Sequence, residues 1–301
     1  MKDLIIVGGS MAGVTAAVYA ARSGLNVMLI TDSFGGQLML TEKIENFPGF
    51  KSIPAVELAM KLREQLNNYK EIEVLEGPKV NVIEKTGNNF LVKTDSKKEF
   101  ESKTVIIATG KRPRKLKVKG AKELEHKGIH YCAVCDGPLY KDQEVVVIGG
   151  GYSGTEEALY LSGITKKVFV LENSSELRGE EITLKQVKKK KNIELIFNSE
   201  LTEVLGKKTV EGIKFKSNGK EKSLFVKAVF VNIGELPNSD LVDLVEKNDR
   251  NEIIINSRNE SSVGGLFAAG DVTNIPLHQL VIAASEGCKA AIYVNEYLKK
   301  N

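Results

Sequence analysis

The chain contains no tryptophan, and only three cysteines, three histidines and seven prolines occur among its 301 residues. Three cysteines cannot make a disulfide framework in a chain this long. Cys288 and the histidines His126, His130 and His278 offer no spacing that would complete a zinc site, so no metal is expected. Aromatic residues make up 6%, no tract interleaves them with basic ones, and the formal net charge is only +4. That argues against a nucleic-acid partner. No apolar run approaches the roughly 20 residues of a membrane-spanning helix. The N-terminal MKDLIIVGG is too short for a signal-peptide core, so a cytoplasmic location is expected, with no membrane partner. What is present is ordinary for a globular protein, 42% hydrophobic and 27% charged residues. The length suggests about two domains, each able to bury a core.

The chain opens with a strand-like run, Leu4 to Val7, followed at once by Gly8-Gly9-Ser10-Met11-Ala12-Gly13. A helix-like stretch with small residues on one side (Ala12, Ala16, Ala17, Ala20) comes next, then a second strand-like run, Val27 to Ile30. This is the strand–glycine turn–helix–strand order of a dinucleotide site. Glycines let a pyrophosphate approach the backbone closely, and the helix N-terminus favours an anion. Here Ser10 stands at the middle position of G-x-G-x-x-G. The pattern returns, complete, after Glu144 to Ile148: Gly149-Gly150-Gly151-Tyr152-Ser153-Gly154, a helix-like EEALYLS, and a strand from Val168 to Leu171. That strand ends on Glu172, about 20 residues beyond the first glycine, the offset of a ribose-binding acid. Two such motifs, each in βαβ context, point to two dinucleotide sites.

Two apolar strands ending in glycine turns complete the plan: Val105 to Ile107 running into Ala108-Thr109-Gly110, and Leu266 to Ala269 running into Gly270-Asp271. Lys111–Gly120 and Gly234–Asp240 break the apolar runs with Pro and Gly, as crossings between domains do. The expected fold is α/β: two Rossmann-like dinucleotide-binding domains of the FAD/NAD(P)-binding type, the second, 114–239, inserted into the first, 1–113 with 240–301. Residues 72–104 read as a small antiparallel accessory sheet.

The pair Cys132-x-x-Cys135 suggests redox chemistry or metal binding before structural cross-linking. Two thiols three residues apart can close a small ring if they start a helix, where thiolate is favoured. Asp136 follows directly and could give or take the proton that exchange requires. The bland alternative is two buried cysteines beside a capping aspartate. Cys288, in an Ala-rich helical stretch, reads as a small core residue. His130, two residues before Cys132, either tunes it or is a backbone-satisfied histidine near a turn. Lys185 and Lys188 to Lys191 read as a solvated helix face.

Gly35-Gly36-Gln37, Glu45-Asn46-Phe47-Pro48-Gly49, Ala108-Thr109-Gly110, Cys132-Ala133-Val134-Cys135-Asp136-Gly137 and Phe267-Ala268-Ala269-Gly270-Asp271-Val272 occur in that order. In this the chain resembles the low-molecular-weight thioredoxin reductases and the C-terminal two-thirds of the flavoprotein component of alkyl hydroperoxide reductase. The resemblance implies a homodimeric enzyme with FAD on the first unit, a nicotinamide nucleotide on the second, and a redox disulfide between Cys132 and Cys135. It implies that Cys135 faces the flavin, Cys132 attacks a small thiol protein, and Asp136 serves as the acid–base group. FAD would be held by Gly8, Gly9, Ser10, Ala12, Gly13, Thr31, Gly36, Gln37, Asn46, Val82, Ala108, Thr109, Gly110, Gly270, Asp271, His278, Gln279 and Leu280. The nicotinamide nucleotide would be held by Gly149, Gly151, Tyr152, Ser153, Gly154, Glu172 and Gly234.

The chain departs from the NADPH-using thioredoxin reductases in the segment that grips a 2′-phosphate: Glu172-Asn173-Ser174-Ser175-Glu176-Leu177-Arg178 stands where they carry a His-Arg-Arg cluster. An acid there accepts hydrogen bonds from a free ribose hydroxyl and repels a phosphate, so NADH is expected over NADPH. The 301-residue chain carries no thioredoxin-like portion of its own, so thioredoxin, a glutaredoxin-like protein or a related dithiol carrier is the expected partner. Three alternatives stay open: a ferredoxin-dependent flavin thioredoxin reductase, the reductase component of a peroxiredoxin system, and a non-catalytic flavin-binding redox sensor.

Overall fold

A computed structural model describes all 301 residues. The chain divides into two compact units, Met1–Arg112 with Leu236–Asn301, and the inserted Pro113–Glu235. The second crossing lies ahead of the expected 239/240 because the residues after it are tied into the first unit. Asn238 donates to the Thr109 carbonyl at 2.9 Å, and Arg112 donates to Asp240 at 2.7 Å.

In the first unit, strands β1 (Lys2–Val7), β2 (Val27–Thr31) and β3 (Ile72–Glu76) lie in parallel. Strands β4 (Val80–Thr86), β5 (Asn89–Thr94) and β6 (Glu99–Ile107) follow as an antiparallel meander. Residues 72–104 do not form the separate accessory sheet expected from their alternation. β3 pairs with β2, and β6 is long enough to pair with β5 through its first half while running parallel to β1 through its second. One sheet of order β3-β2-β1-β6-β5-β4 results. Helix α1 (Met11–Arg22) joins β1 to β2, and α2 (Ala55–Asn67) precedes β3.

The inserted unit has its own parallel sheet. It is built from β7 (Ile129–His130), β8 (Glu144–Ile148), β9 (Lys167–Leu171) and β10 (Ile193–Ile196). An antiparallel set follows, β11 (Ser199–Leu205), β12 (Gly212–Ser217) and β13 (Lys220–Leu224), before the chain returns to the parallel sheet through β14 (Ala228–Val231). The parallel order is β7-β14-β8-β9-β10. Its helices include α3 (Ala133–Asp136), α4 (Tyr152–Leu161) and α5 (Glu181–Lys189). The chain then re-enters the first unit, adds β15 (Leu266–Ala268) beside β6 and ends in α6 (Leu280–Lys300).

The strands explain themselves through burial. Parallel strands covered on both faces read as continuous apolar runs. In β1, Leu4 and Ile6 pack with the α1 and α6 alanines, whereas Ile5 and Val7 pack on the other face with Ile83, Phe90 and Val92. The inserted unit repeats this: Val146 and Ile148 face the antiparallel set, and Val145 and Val147 face the helices. Fully burying each such side chain is worth about 1.5–3 kcal/mol. The small residues of α1 admit α6 so closely that a Cβ on Gly287 would lie 2.1 Å from the Ala12 carbonyl oxygen. No helix is long and apolar enough to cross a membrane.

Candidate nucleotide sites and redox pair

At the carboxyl end of β1 the chain must turn into α1 without colliding with the end of β6. Gly8 does this at φ +120°, where a Cβ would sit 2.2 Å from the Ala108 carbonyl oxygen. A Cβ on Gly13 would meet the Gly8 oxygen at 1.9 Å. Both glycines are demanded by the protein's own packing. Ser10 caps α1 in extended conformation but gives no side-chain cap; its hydroxyl donates instead to the Gly35 carbonyl at 2.7 Å. The first-turn N–H groups of α1 therefore keep no side-chain acceptor, which suits an anionic ligand.

The same strand ends collect most of the residues expected to hold FAD. Gly36 approaches Ser10, Gly270 approaches Ala12, and Gly9 packs on Thr31. Gln37 donates to the Lys111 carbonyl at 2.7 Å, and Asn46 donates to the Gln279 side chain at 3.2 Å. Thr109 donates to the Asn238 carbonyl at 2.7 Å. Gln279 caps α6 without a side-chain hydrogen bond, with Leu280 opening the helix, so a second helix N-terminus without a side-chain cap lies here. Thr31 turns its hydroxyl to the Ser33 carbonyl, and Asp32 accepts from the Ser33 N–H, each at 2.8 Å. Val82 stands apart, exposed on β4, the edge strand of the sheet. The glycine turns and open helix starts fit a dinucleotide such as FAD.

Sequence reading missed Lys111 and Glu252. Lys111 pairs with Glu252 at 2.8 Å, with side chains 8% and 4% exposed, and its ammonium lies 3.1 Å from His278 Nε2. Asp271 adjoins them; burial pushes its carboxyl above the ordinary value, while His278 and Lys111 oppose the shift. The sequence carries no signal for this cluster, since its members are joined only by the fold.

In the inserted unit, Gly149 at φ +104° brings the end of β8 against the Asn232 carbonyl, where a Cβ would sit 2.0 Å away, and a Cβ on Gly154 would lie 2.0 Å from the Gly149 oxygen. Gly151 differs. It caps α4 with no side-chain hydrogen bond, and a Cβ there would meet nothing within 4 Å. Tyr152 and Ser153, in the first turn of α4, are exposed, and so is Gly234 beyond β14. Glu172 is buried, and its carboxylate accepts from the Gly150 N–H at 2.5 Å and the Ser174 N–H at 2.9 Å. Burial pushes that carboxyl up. The two backbone donors and nearby Arg178 outweigh burial and hold it below its ordinary value, as an anion. Its remaining lone pairs can still accept from a hydroxyl.

Cys132 and Cys135 are joined as a disulfide, with Cα atoms 5.4 Å apart. Cys132 is buried and caps α3, accepting the Cys135 N–H on sulfur at 3.1 Å, while Cys135 is exposed. The first N–H of that helix, on Ala133, donates to Glu157 at 3.1 Å. The other oxygen of Glu157 accepts from Asn232 at 2.5 Å. Glu157 lies one helical turn past Gly154, the one sequence cue that could have placed it beside the glycine turn. Burial pushes its carboxyl above the ordinary value, with the Asn232 and Ala133 hydrogen bonds opposing. His130 is not the backbone-satisfied histidine that was the alternative. Its Nδ1 lies 3.0 Å from Asp136 Oδ2, and its Nε2 lies 2.7 Å from the Tyr140 hydroxyl. Cys288 is a half-buried free thiol in α6.

The chain is 33% identical to a thioredoxin reductase from Lactococcus lactis, covering all of both chains with a TM-score of 0.97. It is 38% identical to the T. acidophilum thioredoxin reductase over 98% of each chain, with a TM-score of 0.93. It is also 40% identical to the F component of alkyl hydroperoxide reductase from Staphylococcus aureus, over 99% of this chain and 59% of that one. The chain thus spans about three-fifths of the length of the curated relatives it matches. The profile of the pyridine nucleotide-disulphide oxidoreductases matches residues 2–287. With two glycine turns in βαβ context and a Cys-x-x-Cys disulfide, the chain belongs to the pyridine nucleotide-disulphide oxidoreductase family, oxidoreductases that work with FAD and NAD(P)H.

Proposed function

We propose that this protein is an FAD-dependent disulfide reductase that draws electrons from NADH and delivers them, through Cys132 and Cys135, to the disulfide of a thioredoxin-like protein. The observation that carries the reading is the closed Cys132–Cys135 disulfide with Cys135 exposed, in the same compact unit as a glycine turn whose Gly151 faces open space. FAD, when bound, supplies the two-electron relay between a pyridine nucleotide and a disulfide. Residues Gly8 to Gly13, Gly36, Gln37, Thr109, Gly270 and Asp271 would hold it, and Gly149 to Gly154 with Gly234 would hold the nucleotide.

The chain's own residues supply the rest. The reduced pair attacks a partner disulfide as thiolate, and the second thiol resolves the mixed disulfide. Asp136, next in sequence to Cys135, handles the proton. Glu172 supports the preference for NADH: an anion fixed by the Gly150 and Ser174 N–H groups can accept from a ribose hydroxyl and repels a 2′-phosphate. The relationship to alkyl hydroperoxide reductase favours a second acceptor, a peroxiredoxin-type protein, reduced by the same dithiol. The homodimer and the domain roles belong to the same proposal.

Anaerobic stopped-flow mixing tests the reading. NADH bleaches the flavin absorbance at least tenfold more efficiently than NADPH, the preference expected from like-charge repulsion at Glu172, and turnover follows with thioredoxin or peroxiredoxin acceptors. Cys135→Ser keeps flavin binding and loses disulfide reduction. Absence of bleaching by either nucleotide, with bleaching by reduced ferredoxin, would assign the ferredoxin route instead.

A further inference from the structure

The proposed chemistry places a carboxylate beside the exchanging cysteines but does not say what holds it there. Asp136 Oδ2 lies 3.0 Å from His130 Nδ1, and the far nitrogen of that ring lies 2.7 Å from the Tyr140 hydroxyl. His130 is itself buried, stacked on Phe230 with centroids 5.5 Å apart and edge-on to Tyr140 at 5.4 Å. Three side chains from β7, α3 and the turn after it thus form one hydrogen-bonded line ending at Asp136, the residue next in sequence to Cys135. We propose that His130 is a positioning residue for the redox pair: neutral, with its proton on Nδ1, it orients the Asp136 carboxylate next to Cys135, and Tyr140 locks that tautomer. The inference rests on the reading of Cys132–Cys135 as the exchanged disulfide.

With the ring neutral, the donor and acceptor roles leave one consistent arrangement. An ionised carboxylate only accepts, so Nδ1 carries the proton; the neutral ring then accepts at Nε2, which makes Tyr140 the donor. The electrostatics agree. Burial draws the imidazole below its ordinary value, with Asp136 opposing, and burial with the Asp136 charge keeps the phenol protonated. The remaining titratable groups in reach are the exposed His126, which acts on His130, and Glu157, which feels Asp136 from α4. Exchange moves two electrons and two protons from the enzyme dithiol to the partner disulfide. As the Cys132–Cys135 bond re-forms, the oriented carboxylate takes the proton of the remaining thiol and returns it to the departing partner sulfur.

Nitrogen-15 NMR of the histidine-labelled full chain, which has only three histidines, reads the tautomer directly. At about pH 7 His130 is expected neutral and protonated at Nδ1, and Tyr140→Phe is expected to release it into a tautomer mixture. Iodoacetamide alkylation of the dithiothreitol-reduced chain reads the effect on the thiols across the pH range. His130→Leu speeds alkylation about tenfold near neutral pH and displaces the profile to lower pH, because a carboxylate no longer held beside the thiols ceases to oppose thiolate formation. His130→Asn, which can offer an N–H where Nδ1 stood, recovers the rate to within about threefold. A proton found on Nε2, an imidazolium at neutral pH, or a His130→Leu profile superimposable on the unaltered one with native circular dichroism overturns the proposal. Neither measurement involves nucleotide or flavin turnover, so failure of NADH oxidation would leave both standing.

Discussion

Substituting Gly151 and Gly154 by alanine separates a glycine kept for a ligand from one kept for the fold. They sit three residues apart at the start of α4. At Gly154 a Cβ would lie 2.0 Å from the Gly149 carbonyl oxygen and 3.4 Å from the Asn232 Cβ, so backbone must move. Overpacking of that kind costs roughly 1–3 kcal/mol. Better helix propensity returns at most about 1 kcal/mol, so a net loss of about 1–2 kcal/mol is expected. At Gly151 nothing lies within 4 Å and φ is an ordinary −78°. Alanine there loses at most about 1 kcal/mol as a helix cap. Its methyl group would instead occupy the approach of a pyrophosphate to the N–H groups of α4. Losing one or two charge-assisted hydrogen bonds weakens nucleotide affinity about tenfold to a few hundredfold. Urea unfolding and calorimetric NADH titration on the same two variants give both quantities. Unchanged NADH affinity in Gly151→Ala would remove the glycine turn as the nucleotide cradle, and an unchanged urea midpoint in Gly154→Ala would refute the packing argument.

Lys111→Met leaves Glu252 buried with only Arg250, at 3.2 Å, and Asn248 for compensation. Breaking such a pair from one side costs about 3 kcal/mol, and the double variant Lys111→Met with Glu252→Gln recovers much of it, as read by urea unfolding. Glu157 gives a signed pH dependence. Its folded carboxyl is raised by burial above the ordinary 4.5, so the folded state holds its proton more tightly and stability falls as pH rises from there through the folded value. Glu157→Gln keeps an acceptor for the Ala133 N–H and removes that decline. Unfolding curves of the two proteins should diverge above about pH 4.5, and parallel curves would contradict the assigned cause.

Local backbone requirements are written in the sequence because they depend on neighbours in the chain. Gly8, Gly13, Gly149 and Gly154 are legible since a strand that turns sharply into a helix has no room for a Cβ, and the apolar runs of β1 and β8 are legible since strands buried on both faces tolerate nothing polar. The Cys132–Cys135 spacing is similarly local. Tertiary structure alone decided that β6 would extend through both parts of one sheet, which abolished the separate accessory sheet expected from 72–104. It also decided that Lys111 would meet Glu252, 141 residues away, that Glu172 would turn back onto the glycine loop, and that His130 would find Asp136 and Tyr140. Buried polar groups must find partners in a medium without water, and which partner stands within about 3 Å depends on which strand ends the folded core brings together, information no single segment contains.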